Sequence, residues 1–393
     1  MLNILRCCLV VIAVSLTACA SDRRVSVAPD SIFRDSAFAT VGADTGAGQI
    51  MAISHSMRDY LQRDLAPSVE GQGAMRGLVA AMTQPDGIRL RYDSSRTNTA
   101  TEAFDSRSGN CLSLVILTAA LARELGLQVY FQEVVTDDVW SRLAGLYVAS
   151  GHVNVTISRS KAARRQQHDN ESSVTIDFLP PSAAQVLRTR QLAERTVLAM
   201  FMNNRAVEAL AQPDLPLAYA WASAAVRQDP DFLSAYNTLA VVYMRSNLHQ
   251  AAEVTLRHLL ELNPKHTQAL SNLVLTLSML GRHDEAHAVS NRLRQLEVVA
   301  PFEYYNKGMA ALRSGDAVVA RDWFRRELAR DSDYHEFHFA LALAEWKLGN
   351  AEEARKELVL ARDNSLQRSE YELYAAKLAH IQGLSGTTRS IVQ

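Results

Sequence analysis

The sequence predicts an α+β domain followed by an all-α repeat solenoid. Three observations carry that prediction. Small residues and turn residues recur every 34 positions through the C-terminal half. A segment following Cys111 is apolar on nearly every face, as a buried helix is. Two later segments, 151–157 and 173–178, alternate apolar and polar residues with the period of a half-buried strand.

At the N-terminus, "MLNILRCCLVVIAVSLTACAS" has one positive charge, Arg6, an apolar core from Cys7 to Leu16 and a close of small residues. That is the layout of a secretory signal. The run is too short to span a bilayer as a helix, which takes about 20 residues. Leu16-Thr17-Ala18-Cys19 resembles the bacterial lipoprotein box. The resemblance implies that residues 1–18 are removed as a signal peptide and that Cys19 is acylated. With Ala20 next in the chain, it also implies the outer membrane of a bacterial cell envelope, facing the periplasm. Each buried methylene adds about 0.8 kcal/mol, so several acyl chains anchor stably. Residues 19–50, rich in Ser, Asp, Ala and Gly, read as a flexible tether.

Cys7 and Cys8 leave with such a signal and Cys19 carries lipid, so Cys111 is the one free thiol of the mature chain. An unpaired cysteine in an exported protein is either a reactive group or a small hydrophobe in the core. The count alone does not choose. A chain of 393 residues is long enough for two or three domains, and its apolar and charged content is that of an ordinary globular protein. A net charge of −1 argues against nucleic acid as a partner.

Residues 51–185 form the first expected domain. Helices are expected over 53–65 and 72–84, before the short run "GIRLRY". The buried helix follows from Leu112 to Leu125, with Gly109 or Asn110 as its cap and Gly126 as its stop. Cys111 therefore stands at a helix N-terminus, where free N–H groups and the helix dipole favour a thiolate. In "GHVNVTI", Val153, Val155 and Ile157 share one face and His152, Asn154 and Thr156 the other. "SVTIDF" sets Val174, Ile176 and Phe178 against Thr175 and Asp177. An antiparallel hairpin with matched apolar faces puts His152 and Asp177 on one face, where they can be direct cross-strand neighbours. The distance from His152 to Cys111 does not follow from this pattern. The stretch between the strands carries Arg159, Lys161, Arg164 and Arg165. It reads as a solvated hairpin loop, or else as a contact for anionic lipid or an acidic partner.

"TATEAFDSRSGNCLSLVILTAALARELGL", then "GHVNV", then "TIDFLP", resembles the core of the transglutaminase-like superfamily over roughly residues 85–180. That family has a papain-like arrangement, and the resemblance implies Cys111 as nucleophile, His152 as base and acid, and Asp177 as orienting group, with no cofactor. Members often carry an aromatic residue shortly after the catalytic His, whereas Val153 and Asn154 stand there in this chain. Beside the backbone N–H of Cys111, the sequence assigns no second donor to an oxyanion hole.

A connecting helix is expected over 186–198, about five repeats over 199–368, and a capping helix and tail over 369–393. Pro230 and Pro264 are 34 residues apart, and Ala218, Ala252, Ala286, Ala320 and Ala354 keep the same period. So do Asn247, Gly281, Gly315 and Gly349 between paired helices. A helix-turn-helix period with these marks resembles the tetratricopeptide repeat. The whole chain is thus expected to be an α+β papain-like/transglutaminase-like core followed by an all-α tetratricopeptide repeat solenoid. The repeat family implies a superhelix whose inner face binds protein or peptide segments. Its pattern places Asn237, Met244, Arg245, Tyr305, Met309, Phe339 and Trp346 on that face, although such residues can equally pack between helices. "HDEAH" at 283–287 sets two histidines four apart. A zinc-protease motif needs Glu directly after the first His, and Asp284 stands there, so no metal is expected.

These readings converge on an envelope-anchored cysteine acyltransferase or hydrolase acting on protein or peptide amide bonds, with repeats that recruit a partner or substrate. The alternative is a non-catalytic lipoprotein scaffold whose thiol domain is degenerate. A thiol redox sensor would need Cys111 but neither His152 nor Asp177.

Overall fold

The computed structural model describes residues 27–38, 45–84, 87–93, 96–135, 140–143, 146–149, 152–159, 173–178, 188–212, 214–296, 302–365 and 368–389. The expected signal peptide, Cys19, the loop residues Lys161, Arg164 and Arg165, and the last four residues lie outside them.

The first domain opens with α1 (Ala47–Ile50), α2 (His55–Arg63), α3 (Ala66–Gln72) and α4 (Ala74–Thr83). The expected pair of helices is three (α2, α3 and α4), because Pro67 begins a new helix in its first turn and Gly73, at φ +86°, ends it. β1 (Arg91–Tyr92) then runs parallel to β2 (Ser108–Gly109), with Tyr92 beside Gly109. Between them α5 (Ala100–Ser106) starts with a capping box of Thr99 and Glu102. Every residue of α6 (Cys111–Glu124) from Leu112 to Ala122 is buried.

Four strands form an antiparallel sheet in the order β7-β6-β3-β8: β3 (Gln128–Val135), β6 (His152–Ser158), β7 (Ser173–Ile176) and β8 (Arg188–Leu192). β4 (Trp140–Leu143) and β5 (Leu146–Ala149) pair separately as a hairpin. Phe131, Val155 and Ile176 stand side by side in the register, and α6 packs against β6 and β3. β8 corrects the expected connecting helix over 186–198. The free edge of β3 needs partners for its backbone groups. Residues 188–192 supply them, with Leu192 opposite Phe131 and Arg190 paired to Glu133.

The repeats follow as antiparallel helix pairs. They are α7 (Glu194–Ala211) with α8 (Leu215–Gln228), α9 (Leu233–Arg245) with α10 (His249–Leu262), and α11 (Thr267–Met279) with α12 (His283–Gln295). α13 (Glu303–Arg313) pairs with α14 (Ala317–Leu328), α15 (His335–Lys347) with α16 (Ala351–Asp363), and α17 (Arg368–Arg389) caps the row. The first repeat begins at Glu194, ahead of the expected 199, and its second helix starts within "AQPDLP": Asp214 caps α8 and Pro216 sits in the first turn. Ala218, Ala252, Ala286, Ala320 and Ala354 are all buried. Asn247, Gly281, Gly315 and Gly349 all adopt positive φ at the turn within each pair.

Residues 27–38 depart from the flexible tether expected over 19–50. They form two 3-10 turns, Asp30–Ile32 and Asp35–Ala37, strapped to the first two repeats. Ile32 is buried and its carbonyl accepts from Tyr243 Oη at 2.7 Å. Tyr219 Oη accepts from Arg34 N–H at 2.8 Å and donates to Asp35 at 2.7 Å, and Phe38 stacks on its ring. Arg227 pairs with Asp35 and lies over Phe33. A polar composition does not keep a segment loose when apolar and aromatic anchors are spaced through it. One apolar cluster continues from Ala28 through the first domain to Ala286, so that domain and the first three repeats share a core. Among the described residues no helix is long and apolar enough to cross a membrane.

Candidate functional site

Cys111 is the first residue of α6 and is partly buried. Asn110 caps the helix: its side-chain oxygen accepts from Ser113 N–H at 2.9 Å and from Ser113 Oγ at 2.8 Å. Gly109 is required here, since a β-carbon would meet Ser113 Cβ at 2.5 Å. The close approach lets β2 lie against the first turn of α6. It also sets Tyr92, Gly109's neighbour in the parallel register, next to the cysteine. The Tyr92 phenol lies close to the Cys111 backbone N–H. Burial first, and then the nearby thiol, raise the phenol's pKa, so it stays protonated.

His152 begins β6, and its Nε2 lies 2.7 Å from Asp177 Oδ1. The imidazole is 9% exposed and the carboxylate 33%. The expected shared face holds, but the two are not direct cross-strand neighbours. Val155 pairs with Ile176, so continuing the register sets Asp177 opposite Asn154 and makes His152–Asp177 a diagonal contact. His152 Nδ1 is buried with no hydrogen-bond partner. The Cys111 thiol is close enough to act on the ring's titration. Burial pulls the histidine pKa down, yet Asp177 and then Cys111 outweigh it and push the value up to about 9. The structure thus brings Cys111, His152 and Asp177 together. Sequence reasoning missed Tyr92: "GIRLRY" marked a short run between helices and gave no sign of the register that sets it beside Gly109.

The seven expected inner-face residues are dispersed. Asn237 on α9 accepts a 2.8 Å bond from Asn272 of α11, joining neighbouring repeats. Met244 packs against the core and Arg245 is exposed. Tyr305 lies among Phe302, Phe324 and Phe337 in edge-on and tilted contacts, Met309 packs with the fourth repeat's core, and Phe339 lies against Tyr374 of α17. Trp346 is 41% exposed. His283 and His287 are both exposed on α12. Among the described residues no group of three or more His, Cys, Asp or Glu is placed to hold a metal ion.

Models of the tetratricopeptide repeat family match residues 233–266, 267–292 and 305–367. The C-terminal half is an array of tetratricopeptide repeats. No curated protein matches the chain. Among solved structures the chain is similar to YrrB, described as a tetratricopeptide repeat protein with an unusual peptide-binding site. That likeness has 20% identity over 46% of this chain and 92% of that one, with a TM-score of 0.25. It is also similar to the MamA protein, at 19% identity over 46% and 97%, TM-score 0.25. A repeat protein of Thermus thermophilus has 18% identity over 46% and 99%, TM-score 0.31. At these values the likeness adds nothing beyond the tetratricopeptide repeats already matched, proteins of which typically bind protein or peptide partners.

Proposed function

We propose that the tetratricopeptide array binds a protein segment and that the first domain acts on an amide of that partner by acyl transfer through Cys111. The supporting observation is the setting of His152, clamped at Nε2 by Asp177 and left with a buried, unbonded Nδ1 beside the only cysteine among the described residues. A thiolate–imidazolium pair needs such a ring, fixed in orientation and favoured in its charged form.

The chemistry follows from these groups. The Cys111 thiolate adds to the amide carbonyl carbon, and the oxyanion that forms meets the Cys111 N–H, with the Tyr92 O–H turning to the same oxygen. His152 gives its proton to the amine as the C–N bond breaks, leaving a thioester. Water or a second amine then attacks while His152 takes its proton, and the thiolate leaves. Water gives hydrolysis and an amine gives cross-linking. Acylation at Cys19 would hold the enzyme on the envelope membrane.

A second reading is a scaffold whose thiol domain does no chemistry, and the family matches favour it because they fall at 233–367, within the array. Alkylation of Cys111 against pH separates the two. An unperturbed cysteine titrates near about 8.5. Fast alkylation at pH 6 that His152→Ala abolishes is expected for the enzyme. An ordinary titration, indifferent to His152, would leave the scaffold.

A further inference from the structure

The first repeat helix reaches into the thiol site through one buried residue. Thr97 is 1% exposed, and all three of its polar groups are engaged. Its N–H donates to Glu208 Oε1 at 2.6 Å, and its carbonyl accepts from Arg205 Nη1 at 3.2 Å; both partners lie on α7. Its Oγ1 accepts from Asn110 Nδ2 at 2.8 Å. Asn110 is the cap of the cysteine helix, so Thr97 ties α7 to the residue immediately before Cys111. The next residue repeats the pattern. Asn98 N–H donates to Ser113 Oγ at 2.8 Å and Asn98 Nδ2 to the Ser108 carbonyl at 3.0 Å, on either side of Cys111. Arg205 and Glu208 also lie 3.6 Å apart, which keeps the clamp together.

Resting on the acyl-transfer reading above, we propose that Glu208 is a positioning residue for Cys111, acting through Thr97 and Asn110, and that the first repeat is a working part of the thiol site. The cap fixes where the first turn of α6 points its thiol and its N–H. A backbone error of about 1 Å at such a group can cost on the order of 100-fold in rate. Domain packing alone would be served by apolar contacts. A partly buried carboxylate, whose pKa burial raises despite the Thr97 bonds, is costly for that purpose. What the Thr97 N–H needs is an acceptor of the right length, charged or not.

The test measures alkylation of Cys111 in the full chain against pH, read by mass spectrometry of the Cys111 peptide, with unfolding followed in parallel. Glu208→Ala is expected to slow alkylation at neutral pH about tenfold or more and to alter the pH profile. Glu208→Gln, which keeps the acceptor, is expected to stay within about threefold of wild type. A folded Glu208→Ala protein with an unchanged rate and profile overturns the proposal, and so does Glu208→Gln failing as badly as the alanine. If Glu208→Ala does not fold, Thr97→Val against Thr97→Ser decides in the same way, since only the serine keeps the bond to Asn110. Wild-type alkylation that ignores His152→Ala would instead sink the acyl-transfer reading itself, so the two failures are distinguishable.

Discussion

His152 Nε2 and Asp177 Oδ1 lie 2.7 Å apart, a diagonal contact one residue past β7, where the register of Val155 with Ile176 carried on sets Asn154 opposite the aspartate. The ring's folded value of about 9 exceeds the usual 6.5. The folded state therefore holds an extra proton between those values. Stability from this group is full below pH 6.5 and is lost as pH rises through about 9. Asp177→Asn is expected to bring the histidine titration, followed by NMR, down by at least one unit and to flatten the alkaline loss of stability. An unchanged titration would mean that the carboxylate does not hold the ring.

In the proposed acyl transfer, Tyr92 and the Cys111 N–H together meet the oxyanion. Alkylation of a thiol forms no oxyanion, whereas acylation by an activated ester does. Tyr92→Phe is expected to slow acylation of Cys111 by about 100-fold and to leave alkylation within about twofold. Equal effects on both reactions would reduce the phenol to packing.

In the fourth repeat α13 and α14 meet at Gly308 and the fully buried Phe324. A β-carbon on Gly308 runs into the phenylalanine ring. Gly308→Ala should therefore cost about 1–3 kcal/mol of stability in thermal or denaturant unfolding. Gly71→Ala on α3, where nothing lies within 4 Å, serves as the control and should be neutral or better.

His335 on α15 bonds Tyr374 of α17 at 2.9 Å. Burial first, and then His338, hold its pKa down to about 4, with Glu370 lying 3.3 Å from the ring. The unfolded chain binds more protons between about pH 4 and 6.5, so acidification through that window removes stability. His338 opposes this only above its ordinary value: against the pull of burial, Glu357 and the Ser332 carbonyl raise it. The melting temperature of wild type is expected to fall more steeply between pH 7 and 4.5 than that of His335→Gln. Parallel slopes would exclude His335 as the cause.

The parts legible in the sequence are those fixed by local period. The alanines and the turn residues at 247, 281, 315 and 349 mark each repeat because one helix pair decides them. Face parity likewise put His152 and Asp177 together, but parity does not set register, so the diagonal offset was hidden. β8 was hidden because "RTRQL" has no strand pattern of its own and is extended by the edge of β3. Thr97 and Tyr92 carry no pattern in the sequence that marks them until α7 and Gly109 are beside them. Tyr305 and Phe339 share a helix position with groove residues of the repeat family, yet aromatic neighbours take up their rings.

The strap at residues 27–38 also fixes an order of events in time. Asp35 finds Arg227 across 192 positions, and Ile32 finds Tyr243 across 211. Contacts that distant form late, since the long loop they close must first be paid for in chain entropy. A chain that emerges N-terminus first exposes this segment early. It can settle only after α8 and α9 have followed. The beginning of the described chain is therefore among the last parts to fold, and its docking marks the point at which the first two repeats are complete.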